Sequence, residues 1–158
     1  MKTLPASLAA ASIAFASSTV AASGHDGPSI ERGRYLTLIG GCNDCHTPGF
    51  APSDGKTPES QWLIGDGLGY RGPWGTTYPI NVRHYFSLIS EQQWLEVAHR
   101  MNSRPPMPSP AIRAMSDDDL RSLYRFVRSL GDSDHATPAY LPPGKPAAGP
   151  VVSFPSAP

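Results

Sequence analysis

Between residues 47 and 87 the chain carries prolines, glycines and aromatics with no helical period. So long a stretch of loop is uncommon inside one compact domain unless something other than polypeptide organises it. Proline and glycine recur elsewhere too, at 18 and 15 of 158 residues, so loops make up much of the fold. Apolar residues are 39% of the chain, enough for one domain with a modest core. Thirteen basic residues balance thirteen acidic ones. That excludes the basic excess of a nucleic-acid binder and strong attraction to anionic lipid. Two cysteines exclude a disulfide scaffold and a four-thiolate zinc site.

Residues 1–22 read as an export signal. Lys2 supplies the positive start, Leu8 to Ala16 the apolar run, and Val20-Ala21-Ala22 a small-residue cleavage region. An apolar run of nine residues falls short of the roughly 20 that a membrane-spanning helix needs. No cysteine follows the cleavage region to take a lipid, and no later segment is apolar enough to span. The expectation is an exported, periplasmic bacterial protein whose mature charge is about −1 once Lys2 is removed.

Three stretches have helical character. Residues 29–39 are moderately periodic and stop at Gly40-Gly41. Ser90 caps a second helix with Gln93 three residues on, and Ile89 can staple to Trp94. There Trp94, Val97, Ala98 and Met101 fall on one apolar face. Ser116 caps a third helix, Asp117-Asp118-Asp119 complement its positive start, and Gly131 ends it. Leu120, Leu123, Tyr124, Val127 and Leu130 form its expected buried face. Arg121, Arg125 and Arg128 ride opposite as a solvated stripe, with Asp117 placed to pair with Arg121. From Asp132 onward seven prolines in 27 residues predict an extended tail, a linker or a surface strap. The expected division is a signal peptide at 1–22, one domain at 29–131 and the tail at 132–158.

Cys42-Asn43-Asp44-Cys45-His46 is a C-x-x-C-H pentapeptide, the signature of covalent haem c attachment. Two thiols three positions apart can each add to a vinyl group on one porphyrin edge, and the adjacent imidazole then reaches the iron. A thioredoxin-like pair would want a strand-turn-helix context, whereas residues 35–41 read as a helix running into Gly-Gly. A zinc site would want further thiolates. The export signal agrees with a haem attached outside the cytoplasm, and haem c with its iron is the expected cofactor, one per chain.

The second axial ligand must come from elsewhere in the chain. Packing on a helix face explains Met101, and staple geometry with Leu120 explains Met115. Met107 has neither explanation. It lies in Arg104-Pro105-Pro106-Met107-Pro108-Ser109-Pro110, where prolines stiffen the backbone and remove amide donors. Met107 is therefore the expected ligand, a core methionine in a proline turn being the alternative. His84 and His99 are the rivals, while His25 and His135 need no function.

With these residues in hand, the chain resembles a class I c-type cytochrome over residues 29–131. The likeness rests on a helix, Cys42-x-x-Cys45-His46, a proline-bound Met107 and a closing amphipathic helix. Gly33-Arg34-Tyr35-Leu36 and residues 73–81 further resemble the cytochrome subunits of periplasmic alcohol- and gluconate-type dehydrogenases. Those subunits often carry three haem motifs, and this chain carries one. The resemblance implies an all-α fold, with crossed first and last helices around one haem and an extended Pro-rich tail.

It also implies an electron-transfer protein rather than an enzyme. The iron would be held by His46 and Met107, the haem bonded to Cys42 and Cys45, and electrons passed between a dehydrogenase and a respiratory acceptor. Methionine favours the reduced ion and raises the potential relative to two histidines. The alternative is a haem enzyme or gas sensor with a labile sixth ligand. Trp62, Trp74, Trp94, Tyr78 and Tyr124 are the candidates to line the haem pocket. Arg71, Arg83 and the Trp74 indole are the candidates for the propionates. His46 is expected to donate its free ring N–H to a backbone carbonyl.

Overall fold

A computed structural model of the protein describes residues 27–155. The expected export signal at 1–22, and His25 with it, lie outside the described residues. Six helices and three short strands follow in the order α1 (Ile30–Ile39), α2 (Cys42–His46), β1 (Gly69–Gly72), β2 (Gly75–Thr77), α3 (Val82–Ser87), α4 (Glu91–His99), α5 (Ser109–Arg113), α6 (Asp117–Ser129) and β3 (Val151–Ser153). A single 3₁₀ turn, Glu59–Gln61, lies between α2 and β1.

The helix starts are local chemistry. Ser29 accepts from the Arg32 amide, Ser116 from the Asp119 amide, and Ser90 with Gln93 closes a full capping box. Asn81 caps α3 in the same way through the His84 amide, 3.0 Å away. Gly131, at φ +79°, takes the left-handed position just past α6. The second predicted helix is shorter than its apolar face implies. α4 ends at His99, Met101 lies beyond it, and Val97 is exposed.

α6 packs on α1 along one side and on α4 and α3 along another. Having neighbours on two sides explains a buried face wider than the sequence pattern. Leu120, Leu123 and Val127 are buried as expected, and Ser122 and Phe126 are buried too. Ser122 and Phe126 meet α1 at Gly33. A Cβ on Gly33 would stand 2.0 Å from the Ser122 carbonyl oxygen and 2.6 Å from the Phe126 Cβ. Phe126 then meets Trp62 edge-on at 6.2 Å, joining the helix pair to a core that includes Leu63, Phe86, Trp94 and Ile112.

The fold is not all-α. β1 pairs antiparallel with β2 and parallel with β3, giving a three-stranded mixed sheet in the order β2-β1-β3. Each strand has only three or four residues, too few for a period-two pattern to show against turns rich in glycine and proline. The partner of β1 also arrives from the far end of the chain, with Gly69 opposite Val151. The Pro-rich tail is thus a strap across the surface, held by β3 and by a bridge between Leu141 and Thr76. The 47–87 region holds the β1–β2 hairpin, α3 and hydrogen bonds such as Val82 N–H to the Leu63 carbonyl at 2.9 Å.

The arginine stripe on α6 is not a free surface, and Arg121 does not pair with Asp117. Arg121 and Arg125 both reach across to Glu91 at the start of α4, at 2.8 and 3.1 Å. Arg128 donates to the Phe86 carbonyl. Burial pushes the Glu91 carboxyl up, but the hydrogen bonds and charges of Arg125 and Arg121 outweigh it and hold the group below the usual range. A carboxyl depressed on folding adds stability above its unfolded pKa, and that stability is lost as the pH falls through its folded value. Glu91→Gln should therefore cost about 1 kcal/mol at pH 7. Urea midpoints of the two proteins should converge once the pH drops below the folded pKa of Glu91.

Candidate cofactor site

Gly40 and Gly41 end α1 and start α2 within two residues. The Gly40 N–H returns to the Leu36 carbonyl at 2.8 Å, and Gly41 takes φ +65°, a conformation a side chain would strain. The sharp turn sets Cys42 at the head of α2, with Cys45 and His46 one turn later on the same side. All three line a cavity of about 590 Å³. Its far walls come from Phe86 on α3, Trp94 on α4, Leu123 and Val127 on α6, and the segment 101–108 that carries Met101 and Met107. This size is within the usual range for cofactor pockets, and the lining is mostly apolar with a few convergent polar groups.

The base of α2 is locked in place. Thr47 donates its hydroxyl hydrogen to Asn43 Oδ1 at 2.7 Å and accepts the Leu63 amide at 2.8 Å, all three residues being buried. The Gly65 amide donates to the His46 carbonyl at 2.8 Å. Asn43 Nδ2 is buried without a hydrogen-bond partner among the described residues.

His46 Nδ1 lies 2.8 Å from the Ile80 carbonyl oxygen. A carbonyl only accepts, so Nδ1 carries the proton and Nε2 keeps a free lone pair. Burial lowers the His46 pKa, and the Ile80 carbonyl opposes this in part. The ring is thereby kept neutral and oriented, as a metal-bound imidazole must be. Burial pushes the Cys42 thiol up to about 11, opposite to the depressed value of a thiol-disulfide nucleophile. Burial raises the Tyr70 phenol as well, helped by a hydrogen bond with Cys45. Cys42 and Cys45 are free thiols. Among the described residues no group of three or more His, Cys, Asp and Glu is arranged to hold a bare metal ion.

The four residues singled out by sequence, Cys42, Cys45, His46 and Met107, thus share one cavity. Met101 shares it as well, because α4 stops short and releases it from the helix face, while Met115 lies elsewhere. His84 and His99 are exposed and face Asp132 and Asp117 at 3.3 and 2.8 Å, away from the cavity. His135 donates to the Ile64 carbonyl.

Of the aromatics, Trp94 and Tyr78 line the cavity. Trp62 sits against Phe50 and Phe126, and Tyr124 stacks on Phe86 and donates to the Ile89 carbonyl. Trp74 packs on Phe154. Neither Arg71, Arg83 nor Trp74 reaches the cavity, and Arg83 is occupied by backbone carbonyls instead. Sequence reasoning missed Tyr70, Phe86 and Arg104 on the wall, and Ile80 as the partner of His46. The Asx cap at Asn81 could have flagged the α3 start that brings Ile80 and Phe86 to the site.

Among the described residues no helix is long and apolar enough to cross a membrane. No family model matches the chain, and no solved structure matches it. Over 110 residues the chain is 32% identical to the fructose dehydrogenase cytochrome subunit of Gluconobacter japonicus. That alignment takes in 63% of this chain and 21% of the relative, so the chain spans about a fifth of the length of the protein it matches.

Proposed function

We propose that this chain is a one-electron carrier holding a single covalent haem c, bonded to Cys42 and Cys45 and ligated by His46 and Met107. The observation that carries the reading is the donor set. Two thiols and an oriented neutral imidazole stand on one wall of an apolar cavity, and a proline-bound thioether stands on the segment that closes it. When bound, the haem supplies reversible exchange between Fe(II) and Fe(III). The protein's own part is to orient His46 Nε2 through the Ile80 carbonyl, to exclude water with Leu63, Phe86, Trp94, Leu123 and Val127, and to hold Met107 on a stiff backbone. A methionine ligand and a low-dielectric pocket both favour the ferrous state.

The similarity to a dehydrogenase cytochrome subunit supports a role in passing electrons from a dehydrogenase to an oxidase or another cytochrome, rather than in catalysis. Residues 1–22 act in this reading as the export signal to the bacterial periplasm, 29–131 as the haem domain and 132–158 as its strap.

The test is the visible spectrum of the protein matured in a host that attaches haem c. Haem should survive acid-acetone extraction from the parent and be lost entirely from the Cys42→Ala/Cys45→Ala variant. Met107→Ala should abolish the far-red methionine-to-iron band, and Met101→Ala should leave it. A colourless parent of bare polypeptide mass overturns the proposal. Carbon monoxide binding by the reduced parent would point instead to a haem enzyme or sensor.

A further inference from the structure

The segment that brings Met101 and Met107 to the cavity also brings Arg104 to its wall. Besides Cys42, Cys45 and His46, the titratable groups there are the phenols Tyr70, Tyr78 and Tyr85, and among the described residues neither Asp nor Glu lines it. Phenols are ordinarily uncharged in the neutral range. Among the described residues Arg104 is therefore the one permanent charge on a mostly apolar wall. Arg83, Arg121 and Arg125 spend their guanidinium donors on carbonyls or on Glu91. Among the described residues nothing accepts a hydrogen bond from the Arg104 guanidinium, which lies 3.8 Å from the centre of the Tyr140 ring. Its donors are left for something else.

The placement is built rather than incidental. Tyr140 belongs to the C-terminal strap, and its hydroxyl donates to the Trp74 carbonyl at 2.8 Å. The next residue, Leu141, exchanges both backbone hydrogen bonds with Thr76, at 2.8 and 3.0 Å. Beside Arg104, the Pro105 carbonyl accepts from the Thr77 hydroxyl at 2.8 Å. Strap and strand together fix both the backbone and the side chain of Arg104. Arg104 is itself exposed to solvent, and stacking on an aromatic face leaves its guanidinium edge open to a carboxylate.

We propose that Arg104, held by Tyr140, binds a carboxylate of the cavity's occupant, so that the Pro-rich strap is part of the binding site. This rests on reading the occupant as haem, a planar apolar ring bearing carboxylates. Arg104 supplies the counter-charge and Tyr140 is its positioning residue. An uncompensated carboxylate near the iron would favour the ferric state, so pairing it with Arg104 raises the midpoint potential.

The test is spectroelectrochemical titration of the holoprotein and four variants. Arg104→Gln should lower the potential at pH 7, and the deficit should shrink as acid neutralises the carboxylate. Arg104→Lys, keeping the charge, should stay closer to the parent. Tyr140→Leu should shift in the same direction as Arg104→Gln but less, while Tyr140→Phe, which keeps the ring and loses only the bond to Trp74, should match the parent. A parent-like potential for Arg104→Gln throughout the pH range overturns the assignment of Arg104. An equal shift for Tyr140→Phe and Tyr140→Leu overturns the stacking role. If the parent itself carries no covalent haem, the reading of the occupant fails and this proposal with it, an outcome distinct from a haem-loaded parent with a silent Arg104→Gln.

Discussion

Gly33→Ala should destabilise the protein by about 3 kcal/mol, although helix propensity alone argues the other way. In an isolated helix alanine gains about 1 kcal/mol over glycine. Here the added methyl would stand 2.0 Å from the Ser122 carbonyl oxygen and 2.6 Å from the Phe126 Cβ. The obstacle is the backbone of another helix and not the end of a flexible side chain. Relief requires α1 to lift off α6, which forfeits burial of Leu36 and Phe126 and commonly costs 1–3 kcal/mol or more, by the measure of about one extra methylene. Against a total of roughly 5–15 kcal/mol that loss is large. Gly67→Ala is the control, since nothing lies within 4 Å of its Cβ position. Urea unfolding followed by far-ultraviolet circular dichroism should give Gly67→Ala a parent-like midpoint and Gly33→Ala a much lower one. Equal midpoints would refute close backbone contact at this crossing.

Arg83→Met should cost about 3 kcal/mol by the same measurement. The Arg83 side chain is buried, with Nε donating to the Gly131 carbonyl at 2.8 Å and Nη1 to the Ser60 carbonyl at 2.9 Å. Nη2 reaches the Leu130 and Asp132 carbonyls. Leu130 and Gly131 close α6, where unsatisfied carbonyls gather the negative end of the helix dipole. A methionine fills similar volume but leaves these acceptors without donors, and hydrogen bonds to a charged group are worth about 1.5–3 kcal/mol each. Arg83→Lys separates charge from geometry. It restores the cation at the helix end but cannot span carbonyls on both sides, so its midpoint should fall between those of the parent and Arg83→Met.

Both variants turn on contacts that the sequence reading did not foresee. In sequence Gly33 is one residue of the helical stretch 29–39, and Arg83 is a candidate for the propionates. The starts of α4 and α6 are legible in the sequence because Ser90 and Ser116 act on amides three residues away. The face of α6 was legible in part. A single apolar stripe describes a helix with one neighbour, and α6 has neighbours on two sides, which is why Phe126 went unnoticed. Met101 was misplaced for a related reason. Its spacing continues the apolar period of α4, yet the backbone leaves the helix at His99, before that period ends.

The order of Cys42, Cys45, His46 and Met107, and the chemistry of each, belong to the sequence alone. Spacing of three or four residues is governed by backbone geometry that any chain shares. The tertiary structure decided what each meets: the Ile80 carbonyl for His46, 34 residues away, the α6 terminus for Arg83, Val151 for Gly69 and Tyr140 for Arg104. It also made the fold mixed rather than all-helical. Strands of three or four residues have no local signature, and the third exists only because the closing segment returns to satisfy amides and carbonyls on the edge of β1 that would otherwise lack partners.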